Sequence, residues 1–385
     1  MKIAFYLNEP YPNGMACTKR VHLYAKGLIA LGNNVKIIIP RATENSKFVE
    51  NKTIKGKYEG VNYEYASNST IRSYSFFKRR IQDIFAFFKS LKLIIGFKPD
   101  IVLFVGNSFF HILGLYVLKK IYKWKLLREK SEVPFSHKPF LSDVDKFTLI
   151  FIYNLFDGLI VISESLKGFF QQELNINCRY HITPILVEEI DDGVESNISN
   201  NIVYTGSLLE RKDGIISLIK AFSKITKQFP ELRLVMTGNL NKTNDRERIL
   251  CSIREEGIES KIEFTGYISE KELKVLTSSA RVLILAKPKN RQNKYNSATK
   301  VGEYLLTGQP VILSKEDTAR EFLIDGIDVF MVDPSVDQLA KKLSYVLTYY
   351  NEALKVGNQG RETAIRKFNF LCQTKNINVF LNSIK

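Results

Sequence analysis

The sequence predicts an α/β protein built from two doubly wound parallel-sheet domains in tandem. Three observations support this prediction. The length of 385 residues exceeds what a single hydrophobic core usually holds. Short apolar runs alternate regularly with segments of helical periodicity. A polar, acidic segment at 188–201, EEIDDGVESNISNN, interrupts this alternation near the middle of the chain. We therefore place one domain at 1–190, a second at 191–365, and a last helix at 366–385 that packs back toward the first domain.

The N-terminal half begins with a βαβ unit. A helix in TKRVHLYAKGLIALG separates two apolar strands and ends at Gly32, a residue that suits a helix C-terminus. Later apolar runs in this half repeat the strand pattern, with helical stretches between them. The predicted strands are 2–7, 35–39, 100–105, 157–162 and one within KWKLLREKSEVP.

The C-terminal half has the clearer rhythm of strands and helices. In open parallel sheets, ligands bind beyond the carboxyl ends of the strands. Three of the strand-to-helix turns there carry glycine directly after the strand, at Gly206, Gly238 and Gly266. Glycine allows a backbone to approach a ligand closely, although plain turn geometry explains any single one of them equally well.

Three runs in this half resemble the nucleotide-sugar half of retaining glycosyltransferases of family 4. They are YTGSLLERKDGIISLIKAF, FTGYISEKEL and ATKVGEYLLTGQPVI. The N-terminal half resembles the family only through NGMACTKRVHLYAKGLIALGNNVKIII. The resemblance implies the GT-B architecture, in which two Rossmann-like domains face each other across an interdomain cleft.

The first motif matches that family in part. Gly206, Leu208 and Lys212 agree with its Gly-Arg-Leu turn and following lysine, whereas Ser207 replaces the usual arginine and Asp213 the usual glycine.

The second motif departs at one position. Glu303 matches the distal of two glutamates, whereas Tyr295 stands at the proximal one. The run KVGEYLLTGQPV fits a subgroup with the signature Lys-x-x-Glu-Tyr-Leu-x-x-Gly-x-Pro-Val.

A nucleotide-sugar diphosphate gains negative charge as its sugar bond breaks, so it requires cations and N–H donors. We expect these from Lys212, from Arg211 in place of the missing arginine, and from free amides at the helix start, those of Ala298, Thr299 and Lys300. The alternative for Lys212 is an ordinary solvated lysine.

The resemblance implies the remaining contacts of the donor. Glu303 would hold the ribose hydroxyls, and Gly266, Tyr267 and Ile268 would surround the base. Gly14 would approach the phosphates from the first domain. A UDP- or GDP-sugar is the expected donor, with no further cofactor and no metal. The alternative for Glu303 is an ion pair with Lys300 on the same helix. The alternative for Tyr267 is an ordinary loop aromatic that contacts no base.

The reaction implied by the resemblance is front-face transfer, in which the leaving phosphate receives the acceptor proton. No close carboxylate pair of the kind used for double displacement is evident. We expect Lys212 to stabilise the leaving group and Glu129 or Glu132 to orient or deprotonate the acceptor hydroxyl. A solvated charged loop explains the two glutamates equally well.

The charge pattern indicates an anionic partner. The formal charge is +16, and residues 47–130 contribute 17 Lys and Arg against 6 Asp and Glu. Within 73–98 an apolar stripe recurs at helical spacing among these cations. This pattern predicts either a helix on an anionic membrane surface or a core-facing helix with a basic outer face. No nucleic-acid motif accompanies the charge, so we exclude nucleic acid. The stripe comprises Phe77, Ile81, Ile84, Phe85 and Phe88.

These features together predict a cytoplasmic glycosyltransferase, peripheral at the inner face of the cell membrane. Its acceptor would be a lipid-linked or other saccharide in synthesis of a capsule, O-antigen or lipopolysaccharide. Four scattered cysteines and the lack of a long apolar run fit this location. The alternatives are a nucleotide-sugar epimerase of the same architecture and a degenerate, non-catalytic sugar-nucleotide binder.

Overall fold

The structure, a computed structural model, describes residues 1–189 and 197–385. The chain forms two compact units. The first contains Met1–Pro134, Leu141–Leu186 and Phe370–Lys385, and the second contains Phe135–Phe140 and Val187–Asn369. Residues 135–140 thus belong to the second unit, although they lie within the range 1–190. The predicted boundary at 188–201 includes residues 190–196, which lie outside the described part of the chain.

The first unit is built on an eight-stranded sheet. Its strands run in the order β3-β4-β2-β1-β5-β6-β7-β8, all parallel except for the antiparallel pair β3–β4. The strands are β1 Lys2–Leu7, β2 Asn34–Ile39, β3 Lys55–Tyr58, β4 Val61–Tyr65, β5 Ile101–Val105, β6 Lys125–Lys130, β7 Gly158–Val161 and β8 Arg179–Ile182.

The second unit has a six-stranded sheet in the order β11-β10-β9-β12-β13-β14, and all of its strand pairs are parallel. The strands are β9 Asn201–Tyr204, β10 Arg233–Thr237, β11 Ile262–Gly266, β12 Val282–Leu285, β13 Val311–Ser314 and β14 Phe330–Val332.

Helices connect the strands and cover both sheets. In the first unit they are α1 Ala16–Ala30, α2 Phe76–Phe97, α3 Phe109–Tyr122, α4 Asp143–Tyr153, α5 Glu164–Gly168 and a π-helical turn at Phe169–Glu173. In the second they are α6 Glu210–Asp213, α7 Ile215–Ser223, α8 Arg246–Glu256, α9 Glu270–Ser278, α10 Arg291–Lys294, α11 Lys300–Leu306, α12 Val336–Thr348 and α13 Tyr350–Lys367; α14 Phe370–Ile384 returns to the first unit.

The direction of each crossover decides which face of the first sheet its helix covers. The chain steps from β1 to β2 in one direction and from β4 to β8 in the other. Because such crossovers are right-handed, α1 lies on one face and α2 to α5 lie on the opposite face. Helix α14 packs on α1, and their shared core includes Phe5, Tyr24, Leu28, Ile37 and Leu381, all buried.

The predicted pair of parallel α/β domains is confirmed, with two local differences. Sequence reasoning omitted the hairpin β3–β4 and strand β8, whose segments carry many polar residues. The alternation of strands and helices in the sequence also predicts a helix between β13 and β14, where the structure has only a short 3₁₀ turn, Thr318–Glu321. Among the described residues, no helix has the length and apolar character needed to cross a membrane.

The contact between α1 and α14 generates a test of the fold. A Cβ on Gly27 would lie 2.2 Å from Oγ1 of the buried Thr374, whereas a Cβ on Gly96 of α2 would meet nothing within 4 Å. We expect Gly27→Ala to lower the free energy of unfolding by about 1–3 kcal/mol through overpacking. Gly96→Ala should raise it by about 0.5–1 kcal/mol through helix propensity. Urea unfolding measures both, and shifts of the same sign would contradict this packing.

Candidate functional site

Three glycines bring bare backbone together at the carboxyl ends of β9, β10 and β11. Gly238 has a φ of +103°, which favours glycine, and a Cβ there would lie 2.0 Å from the carbonyl oxygen of Gly206. Its amide donates to the Gly266 oxygen at 3.0 Å. The three predicted turns are therefore one packed feature at the ligand-binding end of the sheet.

Lys300 brings its ammonium group to this feature. A Cβ on Gly206 would lie 2.3 Å from Lys300 Nζ, and that nitrogen is 5.2 Å from the centre of the Tyr204 ring. Burial lowers the pKa of Lys300 to about 8. The amine sits against the glycine turn and the aromatic ring rather than in bulk water.

The charges around Lys300 oppose one another. Asp213 and Glu303 favour its charged form, whereas Lys212 and Lys287 disfavour it. Burial is the largest influence, so the positive charge at this point is poorly compensated by the protein itself.

The two departures in the first motif form a hydrogen-bonded pair. Ser207 Oγ donates to Oδ2 of the buried Asp213 at 2.9 Å. Asp213 belongs to α6 and offsets the charge of Lys300. The serine and the aspartate thus contact each other at the two positions where the resembled motif has arginine and glycine, and the net positive charge of the turn is lower than in that motif.

Lys212 remains available for a ligand. Its side chain is half-buried, and its Nζ makes no ion pair or hydrogen bond with the described residues. The adjacent Arg211 is exposed and donates through Nη1 to the Ser136 carbonyl oxygen at 3.2 Å. The structure therefore leaves Lys212 as the less committed of the two cations.

Helix α11 separates the roles of two neighbouring motif residues. The hydroxyl oxygen of the buried Tyr304 accepts a hydrogen bond from the Thr205 amide at 2.7 Å, and this bond anchors the helix to the end of β9. Glu303 is exposed and has no ion-pair or hydrogen-bond partner in the described ranges, so the alternative of a pair with Lys300 is not realised. Its carboxylate is free to accept hydrogen bonds.

The amide of Ala298 corrects a prediction. It donates to Asp317 Oδ2 at 3.0 Å and is not free for a ligand. The amides of Thr299 and Lys300 have no acceptor among the residues that the structure describes. Only two of the three expected donors are therefore available.

Asp317 and Lys287 form a buried ion pair that sequence reasoning missed. Lys287 Nζ lies 2.7 Å from Asp317 Oδ2, and both side chains are at most 2% exposed. One residue separates Lys287 from the end of the apolar strand β12, and two residues separate Asp317 from the end of β13. Position shortly after a buried strand was therefore the signal that could have found both.

The remaining predicted donor contacts have mixed surroundings. Tyr267 is 72% exposed, and Lys242 Nζ lies 5.0 Å from the centre of its ring, while Ile268 is half-buried. Tyr295, at the place of the family's proximal glutamate, is buried.

In the first unit, Gly14 has a local structural reason. A Cβ there would lie 2.3 Å from Thr18 Oγ1, which donates to the Pro10 oxygen at 2.7 Å and closes the turn before α1. This close approach excludes larger residues, whether or not a ligand binds the turn.

Glu129 proves to be a buried partner of Arg20. Its Oε1 accepts from Arg20 Nε at 2.8 Å, and Arg20 also donates to the carbonyl oxygens of Thr183 and Pro184, each at 2.6 Å. Glu129 therefore holds Arg20 in place, and Arg20 anchors the segment after β8, which corrects the predicted role of Glu129 in orienting or deprotonating the acceptor hydroxyl. Glu132 is half-buried beyond the end of β6.

Helix α2 presents its apolar stripe to the solvent, which excludes the core-facing alternative. The residues that it buries are small or aliphatic: Ala86, Ser90 and Ile94. The exposed fractions along the stripe are Phe77 78%, Ile81 55%, Ile84 56%, Phe85 72% and Phe88 58%.

The exposed apolar surface continues onto α3 and α4. Phe87 of α2 and His111 of α3 have ring centres 5.1 Å apart, and Phe109 of α3 and Phe151 of α4 are 6.2 Å apart. Further large exposed side chains on these helices are Phe110, Val117, Ile121, Val144 and Phe147. An apolar patch that spans three helices is typical of an interaction surface.

Comparison with known proteins agrees with this geometry. Residues 187–363 match the family model described as glycosyl transferases group 1. No curated protein sequence matches the chain significantly.

Solved structures match over the whole chain. Sucrose-phosphate synthase from Thermosynechococcus elongatus has a TM-score of 0.76 at 15% identity, covering 100% of this chain and 98% of that one. A glycosyltransferase from Rickettsia africae has a TM-score of 0.73 at 18% identity, with coverages of 100% and 98%. Anabaena HepE in complex with UDP-glucose has a TM-score of 0.71 at 14% identity and covers both chains fully.

The pKa of Lys300 generates a test of its environment. Because the folded pKa of about 8 lies below the ordinary 10.5, the fold disfavours the charged amine. This penalty is fully present below pH 8 and disappears as the pH rises toward 10.5. We expect wild type to gain stability relative to Lys300→Met over that interval, measured by urea unfolding. The exposed Lys341→Met serves as control, and an unchanged difference for Lys300→Met would contradict the assignment.

At the identities found, the solved structures establish the fold of the chain: it is a GT-B protein with two Rossmann-like parallel-sheet domains, and its residues 187–363 match glycosyl transferases group 1.

Proposed function

We propose that this protein is a retaining, metal-independent glycosyltransferase that moves a sugar from a UDP- or GDP-sugar to a lipid-linked saccharide acceptor. It belongs, in this proposal, to family 4 and to the subgroup with the Lys-x-x-Glu-Tyr-Leu signature. The observation that carries the proposal is the arrangement in the matched region of two cations, Lys212 without an ion pair and Lys300 only partly compensated, with the unpaired carboxylate of Glu303. The HepE structure, which contains UDP-glucose, supports a nucleotide-sugar donor.

The chemistry follows from the charges. Lys212 and Lys300 bind the diphosphate and stabilise the charge that develops as the sugar–phosphate bond breaks. A diphosphate would also relieve the poor compensation of Lys300 and raise its pKa toward the ordinary value. Glu303 accepts hydrogen bonds from the ribose hydroxyls, and Tyr267 packs on the base. The leaving phosphate takes the acceptor proton, with Glu132 rather than Glu129 orienting the acceptor hydroxyl.

The apolar patch supports a peripheral position at the inner face of the cell membrane. Helix α2 carries Lys78, Arg79, Arg80, Lys89 and Lys92 beside its exposed stripe. Aromatic and aliphatic side chains enter the acyl boundary of a bilayer, while neighbouring cations contact anionic headgroups. This surface would hold the enzyme where a lipid-linked acceptor for a capsule, O-antigen or lipopolysaccharide is available.

A degenerate binder without transferase activity is the second candidate. Tyr295 is buried where the family has a glutamate, so one donor-sugar contact of the majority pattern is missing. Release of UDP from a stabilising UDP-sugar, with and without a saccharide acceptor, separates an enzyme from a binder.

Donor binding is tested by thermal shift with UDP, GDP, ADP and their sugars. For the nucleotide that stabilises the wild type, Glu303→Gln should weaken binding about tenfold or more, because hydrogen bonds to a charged acceptor are lost. Glu362→Gln, an exposed helical glutamate of the same unit, is the matched control. The proposal fails if no nucleotide stabilises the wild type, or if both variants bind equally well.

Membrane association is tested by co-sedimentation with phosphatidylcholine vesicles, with and without phosphatidylglycerol. We expect binding to the anionic vesicles only, and a severalfold loss in Phe77→Ser/Ile81→Ser, because less apolar area enters the bilayer. Val379→Ser, at an exposed position of α14, should leave binding unchanged. Equal binding to both vesicle types would contradict the proposed preference for an anionic membrane surface.

A further inference from the structure

A cavity of about 930 Å³ lies within the first unit, at the carboxyl ends of the adjacent strands β2 and β4. Its walls come from the segments that follow these strands, 41–42 and 66–73, and from one side of α2. The carboxyl ends of parallel strands are the usual place for ligands in open α/β sheets, and the volume suits a molecule of moderate size.

The lining is strongly basic. One carboxylate, Asp83, stands among six cations, and none of the six forms an ion pair with a described residue. The cations are Arg41, Arg72, Arg79, Arg80, Lys89 and Lys92.

The partners that these cations do have are neutral. Arg72 Nε donates to the Ala42 oxygen at 3.3 Å, and Lys89 Nζ donates to Asn68 Oδ1 at 3.2 Å. Arg41 Nε is buried and has no hydrogen-bond partner in the described part of the chain.

A second acid, Glu9, interacts with two of these cations, Arg41 and Arg72, only through longer-range electrostatics. Burial raises the pKa of Glu9, and the charges of Arg41 and Arg72 lower it, but no ion pair forms. The protein therefore supplies too little negative charge for this cavity. Several guanidinium groups that line one cavity with a single carboxylate among them are suited to phosphate oxygens, which they can bind through paired hydrogen bonds.

The same cavity has an apolar edge. Phe85 and Phe88 line it and also belong to the exposed stripe of α2. A ligand whose anionic group occupies the cavity can therefore extend a hydrocarbon chain along these rings without crossing a polar surface.

We propose that this cavity binds the phosphate or diphosphate group of a lipid-linked acceptor, with the lipid chain lying on the α2 stripe at Phe85 and Phe88. The proposal rests on the proposed function, and it names the part of the acceptor that the first unit recognises. A phosphorylated soluble sugar shares the anionic chemistry but has nothing to place on the two rings.

The test is calorimetric titration of the full chain with dodecyl phosphate below its micelle concentration, with inorganic phosphate and with glucose 6-phosphate. We expect dodecyl phosphate to bind at least about tenfold more tightly than either other compound, since part of its chain leaves water. Arg72→Ala/Lys92→Ala should weaken its binding about tenfold or more, because charge-assisted hydrogen bonds are lost. Phe85→Ser/Phe88→Ser should remove the advantage of dodecyl phosphate and leave inorganic phosphate unaffected.

Lys55→Ala/Lys57→Ala is the matched control, because it removes two exposed cations of the same unit from outside the cavity. An equal loss in this control would show that general charge drives binding and would overturn the proposal. Equal affinity for all three compounds would assign the cavity to a soluble phosphate and overturn the lipid part. These titrations contain no nucleotide. If dodecyl phosphate fails to bind while a nucleotide still stabilises the protein, the cavity proposal fails and the proposed function stands. If dodecyl phosphate binds while no nucleotide stabilises the protein, the proposed function fails and ligand binding in the cavity stands.

Discussion

The buried carboxylate of Asp317 is the constraint on which the candidate donor site depends. It is fully buried, it forms an ion pair with Lys287 at 2.7 Å, and it accepts hydrogen bonds from Ser297 Oγ and the amides of Ala298 and Ala319. These donors come from three different loops. Removal of the carboxylate would leave the buried charge of Lys287 without a counter-ion, with only the Asn296 carbonyl oxygen at 3.2 Å as partner, and breaking a buried ion pair in this way typically costs about 3–5 kcal/mol. One side chain thus fixes the segment that leads into α11.

Helix α11 begins directly after this fixed segment and has one buried side and one exposed side. On the buried side, the Tyr304 hydroxyl accepts a hydrogen bond from the Thr205 amide at the end of β9. This contact holds Lys300 against Gly206 and leaves Glu303 exposed. The substitution of arginine by Ser207 and of glycine by Asp213 fits the same logic. An arginine there would add a cation next to Lys300, whereas the Ser207–Asp213 pair supplies a partial counter-charge. In the proposed donor site, the attraction for a diphosphate would therefore come from one cation fewer.

Sequence reasoning could predict the alternation of strands and helices because each element has its own local periodicity of apolar residues. It could also single out Lys212 and Glu303 as candidates, because both stand in runs that resemble known motifs. It could not predict that Ala298 is occupied, because its acceptor Asp317 is brought to it only by the fold. Glu129 was misjudged for the same reason, since Arg20 lies 109 residues away in the chain. Polar partners that are distant in sequence leave no periodic signal.

The orientation of α2 shows how small residues can decide the use of large ones. Periodicity alone defines an apolar stripe without telling whether it faces the sheet. In this protein the sheet contact is made by Ala86, Ser90 and Ile94, whose modest size lets the helix lie close to the strands. The phenylalanines of the stripe, Phe77, Phe85 and Phe88, consequently face the solvent. This exposure of apolar area is unfavourable, and only a binding partner can offset it. A helix that pairs an exposed aromatic stripe with a basic cavity meets the two demands of a lipid phosphate at one place, a hydrocarbon chain and an anion.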